Sequence, residues 1–509
     1  MPRNPKSKDE NEPDQSAMVF SEGSEEIIYD DQKERLVRAN MRELRKTLRK
    51  GAGKGAVDGE SLKSRDRFAR AKSRALMKTI RSRPVNVIHP SILIARFQDS
   101  PILDSLYIQR SKKWVKILDR PRRKNIATVT VKNFSFLDNP NSTLLFFKNI
   151  AFLECRELSC YINFDDDYIH DIGSYLVFSE IWSTVSYFAQ GGRMAPPVQR
   201  VLSEIGIGRE MNIKLSAIRD GDINDDIWTM PVERRRPLRV PKSQEALIKP
   251  QAADIVAQRF GDLVNSWLGV DDFNAELTDD GMSKLKGIFG ELLDNGVRHS
   301  ILGSDDGNWS MGAFMARRPR AVDGKFEYLC RIAVLSLGQS IADSFVRAPK
   351  EIGDYAENYA KRHQRKGQSK DTLKTLLALQ DMITTDPSAW KERGGGTGLM
   401  ATIEFFHHLA ALSDAEIAPR MTIVSGASCI MLKDPHIVGR TPPVWTKESA
   451  PPRQLWCNER NTIQEPPDME YVFDLDERFA GTLITMGFAL DSEWLRGILE
   501  TENGGKNDD

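Results

Sequence analysis

The amino-acid sequence predicts an α/β protein of several domains: a basic helical arm, a smaller α/β domain, and a larger α/β unit that carries the chemistry. Three observations support this. Between residues 86 and 240, strand-like and helix-like apolar runs alternate, as in an open sheet with helices packed on it. From 245 onward, a long helical stretch leads into paired strand-like segments. Ahead of both, charge changes sign abruptly. The 509 residues exceed one core and suggest two to four domains. Apolar residues at 40% and charged residues at 28% are ordinary for a soluble globular chain. Lys and Arg (72) balance Asp and Glu (72), so only the distribution of charge speaks to partners.

Residues 1–32 hold nine acids against three bases and are expected to be disordered. Residues 33–83 reverse this, with 18 Lys and Arg against five acids. Leu36, Met41, Leu44 and Leu48 fall at helical spacing there, "GAGKGAVDGE" interrupts, and "SRDRFARAKSRALMKTI" resumes. A basic helical arm over 33–85 suits nucleic acid or an acidic protein surface. Phe68 is its only aromatic residue, which argues against a single-strand stacking platform.

In 86–240, "VNVIHPSILIARF" and "KNIATVTVKN" read as strands. "FSFLDNPNSTLLFFKNIAFL" reads as a turn broken by Asn139-Pro140, then a helix. "LSCYINFDDD" is a strand ending in aspartates, "IGSYLVFSEIWSTVSYFA" an apolar helix, and "MNIKLSAIR" a further strand. Pro237 and Pro241 mark a linker. In 245–495, helical sequence over 250–300 precedes the hairpin-like pair "WSMGAFMARR" and "EYLCRIAVLSLG". A polar helical segment (342–392), "GGGTGL", the helix "MATIEFFHHLAAL", two strands in "MTIVSGASCIMLK", a Pro-rich loop (436–468) and the strand "GTLITMGF" follow. The tail 496–509 is expected to be disordered.

Five cysteines, at 155, 160, 330, 429 and 457, form no CxxC pair and read as buried thiols of a reducing cytoplasm. No N-terminal apolar segment and no run near the ~18 apolar residues of a membrane span occurs, so a cytoplasmic protein with no membrane partner is expected.

Two motifs point to chemistry. In "GELLDNGVRHS", residues three and four apart share a helix face, so Glu291, Asn295, Arg298 and His299 form one stripe and Leu285, Phe289 and Leu292 another. Gly290 and Gly296 each cost up to ~1 kcal/mol in a helix, tolerated where something approaches closely. A carboxylate and a carboxamide at i, i+4 can act jointly, the first taking a proton from water and the second ligating a hard cation. Alone, this stripe reads as a solvated face. The second motif is Gly394-Gly395-Gly396-Thr397-Gly398-Leu399, opening directly into a helix. Converging backbone N–H groups and a helix N-terminus make a phosphate cradle. It is neither a P-loop nor a dinucleotide fingerprint.

Together these motifs resemble the GHKL ATPases, the superfamily of DNA gyrase B, heat-shock chaperone ATPases, mismatch-repair ATPases, histidine kinases and anti-sigma-factor kinases. Glu291 and Asn295 match its E-x-x-x-N helix, and Gly394–Leu399 its second glycine box, about a hundred residues on. The intervening D-x-G-x-G strand end resembles "VLSLGQSIADSF": Gly338 matches, while Ser336 replaces the adenine-reading Asp and Ser340 the second Gly. "AGTLITMGF" looks like the family's last strand.

The resemblance covers roughly 250–490 and implies a Bergerat fold: a two-layer α/β sandwich, a mixed sheet with helices on one face, and a lid over about 342–393. It implies ATP and Mg²⁺ as ligands, Glu291 polarising the attacking water, Asn295 holding Mg²⁺, and Arg298 and His299 near phosphates. Ser336 accepts less strongly than a carboxylate, ~1 against ~1.5–3 kcal/mol, so weak ATP affinity or relaxed base choice is expected. Asp343 is a candidate substitute. Lys361, Arg362, Arg365, Lys366, Lys370, Lys374 and Arg393 populate the lid.

Glu at 291 speaks against a histidine kinase, and only His89 and His170 precede it. An ATPase switch coupled to dimerisation or partner binding, an anti-sigma-type serine kinase, and a non-hydrolysing nucleotide module remain. The 86–240 domain faintly resembles the STAS domains that anti-sigma kinases phosphorylate and is a candidate partner-binding domain. Ser174 stands near their acceptor, or simply caps a helix.

Overall fold

The computed structural model describes residues 100–108, 110, 127–155, 160–186, 189–210, 227–235, 252–299, 308–320, 323–391, 398–411, 418–433 and 453–491. The expected tails, the basic arm, the strands at 86–98 and 211–219, the Pro237–Pro241 linker and Gly394–Thr397 lie outside these residues. Pro90–Trp114 and Ala127–Asp509 form one compact unit; the other unit, Met1–His89 with Val115–Ile126, also lies outside the described residues.

The first element among the described residues is α1 (Pro101–Leu106), capped by Ser100. Then come β1 (Ala127–Val131), α2 (Pro140–Glu154), β2 (Cys160–Phe164), α3 (Ile172–Val185) and β3 (Ala189–Gly191). The strands form a parallel sheet in the order β1-β2-β3. Asn139 and Pro140 start α2 as their chemistry dictates: proline at the first helical turn has no amide to leave unpaired. Helices α4 (Pro196–Glu204) and α5 (Ile207–Glu210) complete this part.

A larger sheet follows. It starts at β4 (Ile227–Arg235), which the sequence pattern had placed in the preceding domain. Pro231 sits where the β4–β5 register shifts, between Met230 and Glu233, on an edge strand that tolerates a missing donor. Helices α6 (Ala253–Leu268) and α7 (Asp279–His299) come next, then β5 (Trp309–Pro319) and β6 (Phe326–Leu337). Short α8 (Ile341–Ser344), α9 (Lys350–His363), α10 (Lys370–Ala378) and α11 (Pro387–Lys391) occupy the expected lid. Then come α12 (Gly398–Ala411), β7 (Arg420–Ser425), β8 (Ser428–Leu432), β9 (Val472–Asp474) and β10 (Gly481–Leu490). The strand order is β4-β5-β6-β10-β7-β8-β9, and every neighbouring pair is antiparallel.

The architecture is therefore mixed α/β, as expected, but the larger sheet departs from the expectation of a mixed sheet with one covered face. It is antiparallel, and both faces are buried. Cys330, Ile332 and Val334 of β6 enter a core with α6, α7 and α12 (Phe260, Phe289, Phe406), while Ala333 and Leu335 enter a second core with α3 (Tyr175, Leu176). Alternate residues of a strand face opposite sides, so the two cores lie on opposite faces. The reason lies in the sequence: "YLCRIAVL" is almost uninterrupted apolar, the mark of a strand buried on both sides rather than one.

Polar contacts fasten the parallel-sheet part to the larger sheet. Glu180 on α3 accepts from Arg234 at 2.6 Å and from the Ser310 hydroxyl at 2.8 Å. Asp171, the N-cap of α3, accepts from the Gly173 amide and from the hydroxyls of Ser174 and Thr485. Gly173 makes the approach possible, since a Cβ there would lie 3.0 Å from Asp171 and 3.1 Å from Leu483. All five cysteines are buried.

Candidate nucleotide site on helix α7

Helix α7 is two-sided. Leu285, Phe289, Leu292 and Leu293 are buried, and Phe289 meets Phe260 of α6 at 4.5 Å between ring centroids. On the other side, Arg298 donates to Glu291 at 2.9 Å and to the Asn295 carbonyl oxygen at 3.2 Å. These three side chains, spaced i, i+4 and i+7, form one connected group. Asp294 is exposed, as expected of a residue serving only the helix. His299 ends the helix, and its side chain is not among those described.

Gly296 explains how this helix reaches the sheet. A Cβ there would stand 3.2 Å from the Trp309 Cβ and 3.6 Å from the Ser336 Cβ. Glycine thus lets α7 lie against the ends of β5 and β6. Gly290 has no such role: a Cβ would meet only Ala257, at an ordinary 3.9 Å.

Ser336 belongs to a lateral row that the sequence alone did not reveal. Trp309, Ser336, Thr482, Ser425, Ser428 and Asp474 pair directly across β5, β6, β10, β7, β8 and β9. Directly paired residues project from the same face, and Gly296 shows that this is the face under α7. One row further in, the face is wholly apolar: Met311, Val334, Ile484, Ile423 and Ile430. The sheet therefore ends in a band of hydroxyls beside the helix of Glu291 and Asn295. Ser425 and Thr482 share a 2.7 Å hydrogen bond, and the Ser425 hydroxyl also accepts from the Ile341 amide at 2.8 Å. The Ser336 hydroxyl has no partner among the described residues, and the buried Trp309 indole N–H has no acceptor among them.

The row continues onto α10. Ser428 accepts from Thr372 at 3.2 Å and Thr375 at 3.1 Å, both on α10. Asp474 accepts from the amide and hydroxyl of Ser369, the α10 N-cap, each at 2.8 Å. Helices α9 and α10 have a small core of their own, with Tyr359, Leu373, Leu377 and Trp456. The cations of α9 and α10 are mostly engaged locally. Lys370 and Lys374 bind Glu357, and their hydrogen bonds hold its carboxyl down to about 2. Arg365 donates to Gln368 at 2.7 Å and to the Pro467 carbonyl at 2.6 Å. Lys366 is exposed, and Arg393 lies outside the described residues.

The segment after β6 is held by backbone and capping bonds. Gly338 has a left-handed-side φ of +132° and donates to the Ala480 carbonyl at 3.3 Å. Ser340, in place of a second glycine, caps α8 in a reciprocal capping box with Asp343. Asp343 also accepts from Arg478 at 2.6 Å. Although partial burial works the other way, the Ser340 hydrogen bonds and Arg478 hold the Asp343 carboxyl below its ordinary range. Asp343 is thus committed to the α8 cap and to Arg478.

Gly398 opens α12, and Leu399 packs against the core that α7 shares. Gly394, Gly395, Gly396 and Thr397 lie outside the described residues. Ser174 is fully buried in the third position of α3, with its hydroxyl donating to Asp171 at 2.8 Å; Asp171, not Ser174, is the cap. Among the described residues, no three His, Cys, Asp or Glu gather as a metal site, and no helix is long and apolar enough to cross a membrane. No protein-family model, no curated protein and no solved structure matches the chain.

Proposed function

We propose that the chain binds ATP with Mg²⁺ beside α7 and hydrolyses it slowly, as a switch of the GHKL type. One observation carries the reading: Glu291, Asn295 and Arg298 form a connected polar group on α7, the helix whose buried side Gly296 seats against a hydroxyl-bearing sheet end. The donor set fits such a ligand. Asn295 offers one amide oxygen, and Mg²⁺ characteristically takes one or two protein ligands and completes its shell with phosphate and water. Ser336, Thr482 and the Trp309 indole offer neutral donors and acceptors for a base. Glu291 would deprotonate water, with Arg298 turning from Glu291 to a phosphate when nucleotide arrives. Gly394–Leu399 would cradle phosphates at the start of α12. With no carboxylate in the row at 336, discrimination of adenine from guanine is expected to be slight.

A second reading, nucleotide binding without turnover, is favoured by Arg298, whose hydrogen bonds occupy both residues meant for chemistry. Calorimetric titration with ATP, ADP and GTP, together with phosphate release by wild type and Glu291→Ala, separates the two. The switch requires Mg²⁺-dependent release that disappears in Glu291→Ala while binding survives. Binding with no release in either protein establishes the second reading, and release unaffected by the substitution sinks the assignment of Glu291. A kinase reading requires labelled partner protein rather than Ser174, which is buried. Coupling to a homodimer, to a protein partner through 86–240, or to nucleic acid through the basic 33–83 arm belongs to the same proposal. Salt-sensitive nucleic-acid binding lost on deleting 33–83 tests the last.

A further inference from the structure

The opposite face of the larger sheet holds a second polar site. Phe314, Arg331, Gly487 and Arg420 pair laterally across β5, β6, β10 and β7. Two arginines therefore stand either side of a glycine, in a row otherwise facing the α3 core. The glycine is needed: a Cβ at Gly487 would lie 3.0 Å from Arg331 Nη1 and 3.0 Å from Leu137. Above it opens a cleft of about 280 Å³, walled by Asn133, Asn139, Tyr168 and His170 besides the two arginines, Leu137 and Asp138.

Arg331 is the unusual member. It is only 5% exposed. Its Nε donates to the His170 carbonyl at 2.7 Å and its Nη1 to the Cys330 carbonyl at 2.9 Å. No carboxylate among the described residues forms an ion pair with it, and Nη2 has no partner among them. Burial, then the charge of Arg420, pull its guanidinium down to about 10, so it stays charged at neutral pH. A buried charge without a counter-charge is costly, and proteins ordinarily pair it. Arg420 is paired with Asp138, which also accepts from the Ser135 hydroxyl at 2.9 Å. Asp138 and Asp171 act on Arg331 only through space, and no carboxylate among the described residues touches it.

The wall is built to stay in place. Asn133 holds φ +55°, and its amide and that of Phe134 donate to Asp166 at 2.6 and 2.8 Å. Asn139 caps the 15-residue helix α2 without a side-chain cap bond, which adds the positive end of a helix dipole to the cleft.

We infer that this cleft binds a small molecule through a phosphate or carboxylate group placed between Arg331 and Arg420, with the Asn133, Asn139 and Tyr168 side chains contacting the remainder. A guanidinium fork matches either oxyanion. The volume lies below the ~300–1,000 Å³ of drug-sized ligands, which limits the occupant to a compact anion. The site is independent of the α7 proposal.

Titration calorimetry with inorganic phosphate and with malonate, at ionic strength fixed with chloride, tests it on the full chain. Wild type is expected to bind at least one, and the one that binds identifies the oxyanion. Arg420→Gln, a partly exposed position, is expected to weaken binding about tenfold or more. Arg331→Gln should abolish it; if that variant does not fold, Arg420→Gln carries the test. No binding of either anion by wild type, or binding that Arg420→Gln leaves unchanged, overturns the proposal.

Discussion

The Thr485 hydroxyl, in the central strand of the seven-stranded sheet, donates to the Asp171 carboxylate at the head of α3. Asp171 is fully buried and also accepts from the amides of Phe136 and Gly173 and the Ser174 hydroxyl. With the Ser174 amide, five donors from three stretches of chain converge on one side chain. Asp171→Ala leaves them buried and unmatched, and is expected to cost about 3 kcal/mol or more. Thr485→Val removes one donor and is expected to cost about 1 kcal/mol. Urea unfolding followed by tryptophan fluorescence measures both, and equal small losses would show that Asp171 is no hub.

Gly481 carries a sharper requirement than any other glycine in the sheet. Its φ is +129°, and a Cβ would lie 2.1 Å from the Ser336 carbonyl oxygen and 2.8 Å from the Leu337 Cα. Backbone cannot swing aside as a side chain can. Gly481→Ala is expected to destabilise by several kcal/mol, on the order of other strained substitutions, seen as a lowered urea midpoint or loss of soluble protein.

Gly296→Ala separates stability from binding. Alanine is the better helix former by about 1 kcal/mol, yet its Cβ presses on Trp309 and Ser336. The variant is expected to unfold within about 1 kcal/mol of wild type while nucleotide affinity falls, because α7 is wedged off the sheet. Unchanged affinity would place the ligand elsewhere.

Arg298→Ala is expected to leave stability within about 1 kcal/mol, because the Arg298 and Glu291 side chains are 40% and 42% exposed and such pairs contribute little. A larger loss of thermal stability would give the stripe a structural purpose instead of a chemical one.

Two histidines set a direction for pH. Burial, ahead of all else, lowers the affinity of His170 and His363 for protons. His363 Nε2 lies 2.9 Å from the Ile463 carbonyl and so carries the hydrogen. The unfolded chain takes up protons near the ordinary histidine value while the folded one resists. Stability is therefore expected to be fully present above about pH 6.5 and to fall as pH drops below it. Urea midpoints at pH 7.5 and 5.5 should differ less in His170→Gln and His363→Gln.

The strongest patterns were legible in the sequence. Asn139-Pro140 announced α2, and the 3.6-residue spacing of Glu291, Asn295 and Arg298 announced one face. The hydroxyl row was not legible, because Ser336, Thr482, Ser425 and Ser428 come from four strands whose register only the folded sheet defines. Thr372 and Thr375 carry no signal of their own in the sequence, though both are buried against Ser428. The second covered face had a sequence signal in "YLCRIAVL", but a resemblance to a one-sided sandwich outweighed it. Arg331 sat inside that same apolar run, an arginine where every neighbour is buried, and was itself a sign of a site.

The strand order also bears on how the chain is made. Strand β10, the last described strand to leave a ribosome, lies between β6 and β7. Until it emerges, β4-β5-β6 and β7-β8-β9 are two separate ribbons with raw inner edges, and Asp171 lacks Thr485. The β-α-β segment made hundreds of residues earlier waits with apolar surface uncovered. Such late closure is slow and exposes edges to other chains. Synthesis of this protein is thus a period of vulnerability that ends with one ten-residue strand, and truncation before Gly481 is expected to yield aggregate rather than a smaller folded protein.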